Sequence, residues 1–193
     1  MIESSLIAGF LTMGIDCFQL GQVPTPLVSF MTKKKDADLG IMISASHNPY
    51  QDNGIKIFNN KGDKLKDEEE KKIEELIEKS NTLKFIKPLS IGKLKKYDSD
   101  FYDYKQSIKK VIPKNISFKG LKVVLDCAHG AAYKIGPEIL LDHGVDLIPI
   151  NIKPTGKNIN HNCGALFPEN LKNTVIKNNA DLGIAFDGDA DRL

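Results

Sequence analysis

Apolar residues recur at helical spacing over residues 2–13, at Ile2, Leu6, Ile7, Phe10 and Leu11, and Gly14 offers a stop. Ile15 to Leu20 is a short apolar run that predicts a strand, Gly21 to Pro26 a turn, and the prolines there open a second helix to about Lys35. Leu39 to Ile43 and Gly54 to Phe58 predict strands on either side of a polar loop. Asp67, with Glu70 three residues on, opens an amphipathic helix carrying Ile73, Leu76 and Ile77 on one face, which predicts a solvated surface helix. Residues 80–97 are polar, contain Pro88 and Gly92, and read as a connector. Asp98 to Ile112 has helical period, and Pro113 to Gly120 is a second connector. The pattern then renews: strand 121–126, a glycine-containing loop 127–131, helix 132–143, strand 145–150, a long Asn/Gly/Pro-rich loop, helix 168–178 and strand 181–186. Strands that are continuous apolar runs, alternating with helices, predict parallel sheets covered on both faces. Two α/β units with a boundary near residues 85–115 follow, without a visible sequence repeat.

Composition narrows the class. The 193 residues suffice for one large domain or two small ones, and 41% hydrophobic with 27% charged residues describes an ordinary globular chain. Lys+Arg 27 against Asp+Glu 25 gives a net charge of +2, which argues against nucleic acid or a membrane surface as partner. No apolar run reaches the ~20 residues of a membrane span, and residues 1–15 lack the basic start and cleavage site of a signal peptide. Cys17, Cys127 and Cys163 are an odd, widely spaced set with no Cys-x-x-Cys, so buried reduced thiols are expected rather than disulfides or a zinc site.

Two short segments carry the candidate chemistry. Ser44-Ala-Ser-His-Asn-Pro49 follows strand 39–43, at the carboxyl end where open α/β sheets keep their sites. Pro49 biases Asn48 away from helical geometry and keeps the loop open. Ser46 can accept a phosphoryl group, His47 can position a phosphate, and Asn48 can hydrogen-bond to it; Ser44 is a rival hydroxyl. Lys56, ten residues after Ser46, returns to the loop if the next strand runs back, and a cationic neighbourhood that lowered its pKa would suit it to acid/base work. A serine-hydrolase reading lacks the Gly-x-Ser-x-Gly elbow. The second segment, Asp187-Gly-Asp-Ala-Asp-Arg192, places carboxylates at Asp187, Asp189 and Asp191 directly after a strand, with Gly188 for a tight turn. Oxygen ligands favour Mg²⁺ or Ca²⁺ over Zn²⁺. Without a cation the three acids repel one another by about a few kcal/mol. A calcium loop of the helix–loop–helix type needs Gly at its sixth position, where this chain has Arg192. Arg192 is suited to grip a phosphate oxygen.

These residues, with Gln22-Val-Pro-Thr-Pro26, Asp52 to Lys56, Asp126-Cys-Ala-His-Gly130 and Asn158-Ile-Asn-His-Asn-Cys-Gly-Ala165, resemble the α-D-phosphohexomutase superfamily, and within it the bacterial phosphoglucosamine mutase group. The resemblance covers nearly the whole chain. It implies two three-layer α/β/α units with mixed, mainly parallel sheets, both incomplete: residues 1–90 as domain I with the phosphoserine loop, residues 91–193 as domain II with the metal loop. It implies that Ser46 is the phosphoserine and a metal ligand through its phosphate. Asp187, Asp189 and Asp191 would hold one Mg²⁺. Lys56 and Arg192 would assist proton and phosphoryl transfer and, with Asn48, bind phosphate, while His47 would line the site. The implied reaction interconverts glucosamine 6-phosphate and glucosamine 1-phosphate through a bisphosphorylated sugar, with a hexosamine bisphosphate as activator, in the cytoplasm, feeding cell-wall precursor synthesis.

Two departures qualify that likeness. Family members have four domains, and this chain matches most of the first two, which implies a missing C-terminal half and an isolated chain without turnover. Asp126-Cys-Ala-His carries His129 where the family has Asn; a capping or packing role is expected for it. The alternatives to the glucosamine reading are a mutase of mannose or glucose phosphates in the same superfamily, and a catalytically inactive remnant.

Overall fold

The computed structural model describes residues 1–79, 90–97 and 101–193; the connector read over 80–97 and the helix read from residue 98 lie partly outside them. The described residues form helices α1 (Ile2–Thr12), α2 (Thr25–Lys34), α3 (Asp67–Glu78), α4 (Tyr102–Val111), α5 (Ile135–Asp142) and α6 (Glu169–Lys177). Strands are β1 (Cys17–Gln19), β2 (Leu39–Ile43), β3 (Ile55–Asn59), β4 (Leu94–Lys96), β5 (Lys122–Asp126), β6 (Asp146–Ile150) and β7 (Leu182–Ala185). The architecture is mixed α/β with small, mostly parallel sheets.

Three sheets are present among these strands, in the orders β1-β4, β2-β3 and β6-β5-β7. β5 sits between β6 and β7, parallel to both, and buries Val123, Val124 and Leu125 to 1% exposure or less. That matches its uninterrupted apolar run, since a central parallel strand is covered on both faces. β2 and β3 are the antiparallel exception, joined by the Ser-His loop in a register that sets Met42 opposite Lys56. α2 lies over β2 and carries the first core, where Val23, Leu27, Val28, Met31 and Phe58 meet Ile135 from α5. Burial of each of these large side chains is worth about 1.5–3 kcal/mol.

Two local readings change. Leu94–Lys96, read as connector and grouped with the second unit, is a strand pairing parallel with β1, Cys17 opposite Leu94. Its sequence, Leu-Lys-Lys, is exposed at every position and shows no apolar alternation, so only the pairing with β1 reveals it. The start of α3 is shifted by one residue: the Glu69 carboxylate, not Glu70, accepts the Lys66 amide hydrogen at 3.0 Å. As expected, α3 buries no residue. None of the described helices is long and apolar enough to cross a membrane.

Candidate active site at the junction of two loops

β2 ends at Ile43 and delivers Ser46 in a tight loop; β7 ends at Ala185 and delivers the aspartates. Ser46 takes a left-handed backbone, φ +56°, uncommon for a residue with a side chain. Ser44 supports that turn: its hydroxyl oxygen accepts the Ser46 amide hydrogen at 2.8 Å. The rival hydroxyl is therefore engaged in holding the loop and in a hydrogen bond to Asp189, whereas the Ser46 hydroxyl meets Asp187. The Ser46 hydroxyl donates to Asp187 Oδ2 at 2.7 Å, over a sequence separation of 141 residues.

Arg192 closes the other side. Its Nη2 contacts Ser46 Oγ and donates to His47 Nδ1 at 2.9 Å, while Nε lies 3.4 Å from Asp187 Oδ2 and from Asp191 Oδ1. A guanidinium only donates, so His47 Nδ1 is the acceptor and the imidazole proton sits on Nε2. Lys56 reaches the site because β3 runs antiparallel to β2, as its spacing implied. Its ammonium lies 2.6 Å from Asp189 Oδ2 and 2.9 Å from Asp191 Oδ2. Burial pulls the Lys56 pKa down, but the hydrogen bonds and charges of Asp189 and Asp191 outweigh it and leave it raised. The nearest charges to Lys56 are carboxylates, so its pKa is raised where a cationic neighbourhood was expected to lower it.

Asp189 is the most enclosed of the three aspartates, 1% exposed, with Asp187 at 2%. Burial pushes the Asp189 pKa up; hydrogen bonds from Lys56, Thr25 and Ser44, with the Lys56 charge, more than offset that and leave it lowered. Thr25 donates from its hydroxyl to Asp189 Oδ2 at 2.7 Å and from its amide to the Asp189 carbonyl at 2.9 Å. That amide is one of the N-terminal groups of α2 without a helical acceptor, and the positive end of the helix faces the carboxylate. The aspartates each offer an oxygen within 4.8 Å of the others. Asp189 Oδ1 is buried with no hydrogen-bond partner among the described residues. Leaving such an acceptor unsatisfied costs about 1–3 kcal/mol, and a hard divalent cation would supply what it lacks. The donor set, all carboxylate oxygen, fits Mg²⁺.

Of the residues singled out from sequence, Ser46, His47, Lys56, Asp187, Asp189, Asp191 and Arg192 converge. Asn48 does not: its carboxamide turns away to Asp52 Oδ2 at 3.0 Å. His129 neither caps α5 nor enters the cluster; its Nδ1 accepts the Lys153 amide hydrogen at 3.2 Å and its own amide donates to the Asn151 carbonyl, bridging two loops. Thr25 and Asn160 join the site without having been assigned a role in it from sequence. Both lie in segments that carry the family likeness, Pro-Thr-Pro and Asn-Ile-Asn, but a lone Thr or Asn announces no chemistry by type. A cleft of about 1310 Å³ runs from α1, β1 and β2 down to Ser46, Gly188 and Asp189.

The alpha/beta/alpha domain I profile of phosphoglucomutase/phosphomannomutase matches residues 1–84, and the domain II profile residues 100–193. The phosphoglucosamine mutase of Sinorhizobium medicae is 46% identical over 193 residues, covering 100% of this chain and 43% of that protein. The phosphoglucosamine mutase of Aliarcobacter butzleri is 48% identical over 195 residues, covering 100% and 44% respectively. The chain therefore spans less than half the length of these relatives. A phosphoglucomutase/phosphomannomutase family protein from Burkholderia thailandensis superposes with a TM-score of 0.78 at 26% identity, covering 97% of this chain and 41% of that one. The chain belongs to the phosphoglucomutase/phosphomannomutase family.

Proposed function

We propose that this chain carries the phosphoryl-transfer half of a phosphoglucosamine mutase, interconverting glucosamine 6-phosphate and glucosamine 1-phosphate. The observation that carries the reading is the Ser46 hydroxyl hydrogen-bonded to Asp187 and flanked by Arg192. The choice of glucosamine over mannose or glucose rests on the 46–48% identity to phosphoglucosamine mutases. Ser46 carries the phosphoryl group as a phosphoserine, formed and renewed from a hexosamine bisphosphate that acts as activator. In the forward step the phosphorus–Oγ bond breaks as a bond to a sugar hydroxyl oxygen forms, and the proton lost from that hydroxyl is balanced by one taken up at Ser46 Oγ, which is left as the free hydroxyl. A bisphosphorylated sugar results; returning its other phosphoryl group to Ser46 completes the isomerisation.

Asp187, Asp189 and Asp191 would hold one Mg²⁺, which when bound neutralises charge on the phosphoryl oxygens. Arg192 Nη2, in contact with Ser46 Oγ, stabilises negative charge on that oxygen as the bond to phosphorus breaks. His47, accepting from Arg192, keeps the guanidinium aimed at the serine. Lys56 stays protonated between Asp189 and Asp191 and serves as a donor rather than a base. Asn48 binds phosphate only if its side chain leaves Asp52. A division into two units belongs to the same proposal, with β4 paired back onto β1 across the 90/91 boundary read from sequence, as does a cytoplasmic setting that keeps three thiols reduced.

Because the chain spans 43% of such relatives, the 193-residue polypeptide alone is expected to accept a phosphoryl group yet show negligible turnover. The test incubates it with Mg²⁺ and glucosamine, glucose and mannose bisphosphates in competition. Mass spectrometry should place one phosphoryl group on Ser46, fastest from the glucosamine compound, with a coupled mutase assay flat. Phosphorylation at Ser44, or none at all, would overturn the reading, and robust turnover would overturn the inactivity of the isolated chain.

A further inference from the structure

Ser46 sits in a strained turn at the tip of a loop, and something outside that loop must hold it against the aspartates. Within the loop the restraints are few: the Ser46 amide donates to Ser44 Oγ at 2.8 Å and the Asn48 amide to the Ala45 carbonyl at 3.1 Å. From the other half of the chain, Asp187 and Arg192 meet the Ser46 and His47 side chains, and one further side chain holds the loop's backbone. Asn160 Nδ2 donates to the Ser46 carbonyl and to the Asn48 carbonyl, each at 2.9 Å, across separations of 114 and 112 residues. Those carbonyls bracket His47. A carboxamide NH₂ has two hydrogens on one nitrogen, which suits it to tie two acceptors together; Asp, Ser and Ala cannot.

Asn160 is itself fixed. It is 8% exposed and adopts φ +58°, a left-handed conformation that Asn tolerates better than most residues. Its amide donates to the Ala128 carbonyl at 3.0 Å. The turn holding Ala128 is clamped by Asp126, the fully buried last residue of β5, whose oxygens accept the Ala128 amide at 2.8 Å and the Gly164 amide at 2.9 Å. β7, which carries the metal loop, pairs directly with β5. Asn160 and Asp187 are thus hung from the same sheet, and whatever Asn160 grips is held in register with the aspartates. Gly188 completes the seat: a Cβ there would lie 2.5 Å from the Ser46 carbonyl oxygen and 2.7 Å from Asn160 Nδ2.

We infer that Asn160 is the positioning residue of this site, a latch by which the second half of the chain sets the Ser46 hydroxyl against the metal-binding loop. The inference rests on the phosphoryl-transfer reading for its consequence, not for its geometry. Asn160 does not touch the reacting oxygen; it acts through the loop that bears it.

The test uses the 193-residue chain and its Asn160→Ala and Asn160→Asp variants. Amide hydrogen exchange of the segment 44–48 should quicken about tenfold or more in both, as expected for losing two hydrogen bonds, while β5 keeps wild-type protection. Mg²⁺ affinity of Asn160→Ala, read by calorimetry, should stay within about twofold of wild type, since the aspartates hang from β7. Phosphoryl uptake at Ser46 from a hexosamine bisphosphate should fall with the loosened loop. Unchanged exchange at 44–48 would overturn the inference. So would faster exchange spread equally over β5, which marks a general stability role, or a parallel loss of Mg²⁺ affinity, which places Asn160 on the metal loop instead. If wild type takes up no phosphoryl group, the proposed function fails while the exchange result still judges Asn160.

Discussion

At the level of single residues, the aspartates are not equivalent. Asp187 and Asp189 are buried and hydrogen-bonded into the fold, whereas Asp191 is exposed, with ion pairs to Lys56 and Arg192. Asp191→Asn is therefore the clean probe of metal binding. It should leave folding nearly intact and lower Mg²⁺ affinity by about tenfold or more, as even outer-shell losses do; calorimetry with wild-type affinity would remove Asp191 from the metal site. Of the three thiols expected to be buried, Cys127 and Cys163 are, whereas Cys17 in β1 is half-buried. Burial, with the Asp126 charge second, pushes Cys127 from 9.0 up to about 12 and Cys163 up to about 11. Both thiols are neutral in the fold, so the stability they contribute is complete below pH 9.0, where the unfolded thiols ionise, and is lost as pH rises through about 11 and about 12. The urea midpoint should fall between about pH 8 and about pH 10.5, and a Cys127→Ala, Cys163→Ala double variant should fall less steeply. Equal slopes would remove the thiols from the alkaline transition.

At the level of elements, close approach is what the glycines at two positions secure. β2 lies so near α2 that a Cβ on Gly40 would enter the Thr32 side chain. Gly40→Ala should destabilise the chain by about 1–3 kcal/mol in urea titration, the usual range for overpacking. A neutral result would mean that α2 can lift off β2 freely. Gly188→Ala tests the junction itself. Its added methyl meets the Ser46 carbonyl oxygen and the Asn160 carboxamide, so the serine loop must move while the three-stranded sheet need not. A displacement near 1 Å costs on the order of 100-fold in such reactions, and phosphoryl uptake at Ser46 should fall by about that factor, with far-ultraviolet dichroism unchanged. Uptake at the wild-type rate would show the contact to be yielding. The β2–β3 hairpin contributes the remaining element-scale effect: its antiparallel register, Met42 opposite Lys56, returns the lysine to the loop it left.

For the molecule as a whole, the site is a long-range object. Thr25, Ser46 and Lys56 meet Asp189 and Asp187 over separations of 133 to 164 residues, so it exists only when both halves of the chain have folded and docked. A cation that binds only the docked form stabilises it by mass action, by about 2.7 kcal/mol at a hundredfold excess over its dissociation constant. Thermal unfolding should therefore shift upward by several degrees in Mg²⁺, by about 2–4 °C for each kcal/mol at this size, and not in K⁺ of equal ionic strength; an identical midpoint in both salts would argue against a metal that bridges the fold. The same distinction between local and long-range separates what could be read from the chain from what could not. The strand–helix alternation, the hairpin that returns Lys56, the Ser-His loop and the aspartate loop were legible, because period, turn residues and ligand type are properties of short segments. β4 was not, since Leu-Lys-Lys is a strand only by virtue of its pairing with β1. Nor were Thr25 and Asn160, whose chemistry is generic until an acceptor is placed opposite, nor the turning of Asn48 toward Asp52. The sign of the Lys56 shift was undecidable from sequence because burial and two carboxylates oppose each other, and only their distances fix which prevails. Sequence alone determined which groups this protein brings to a reaction; tertiary structure decided which of them meet, because hydrogen bonds and charge pairs depend on separations in space that no local pattern encodes.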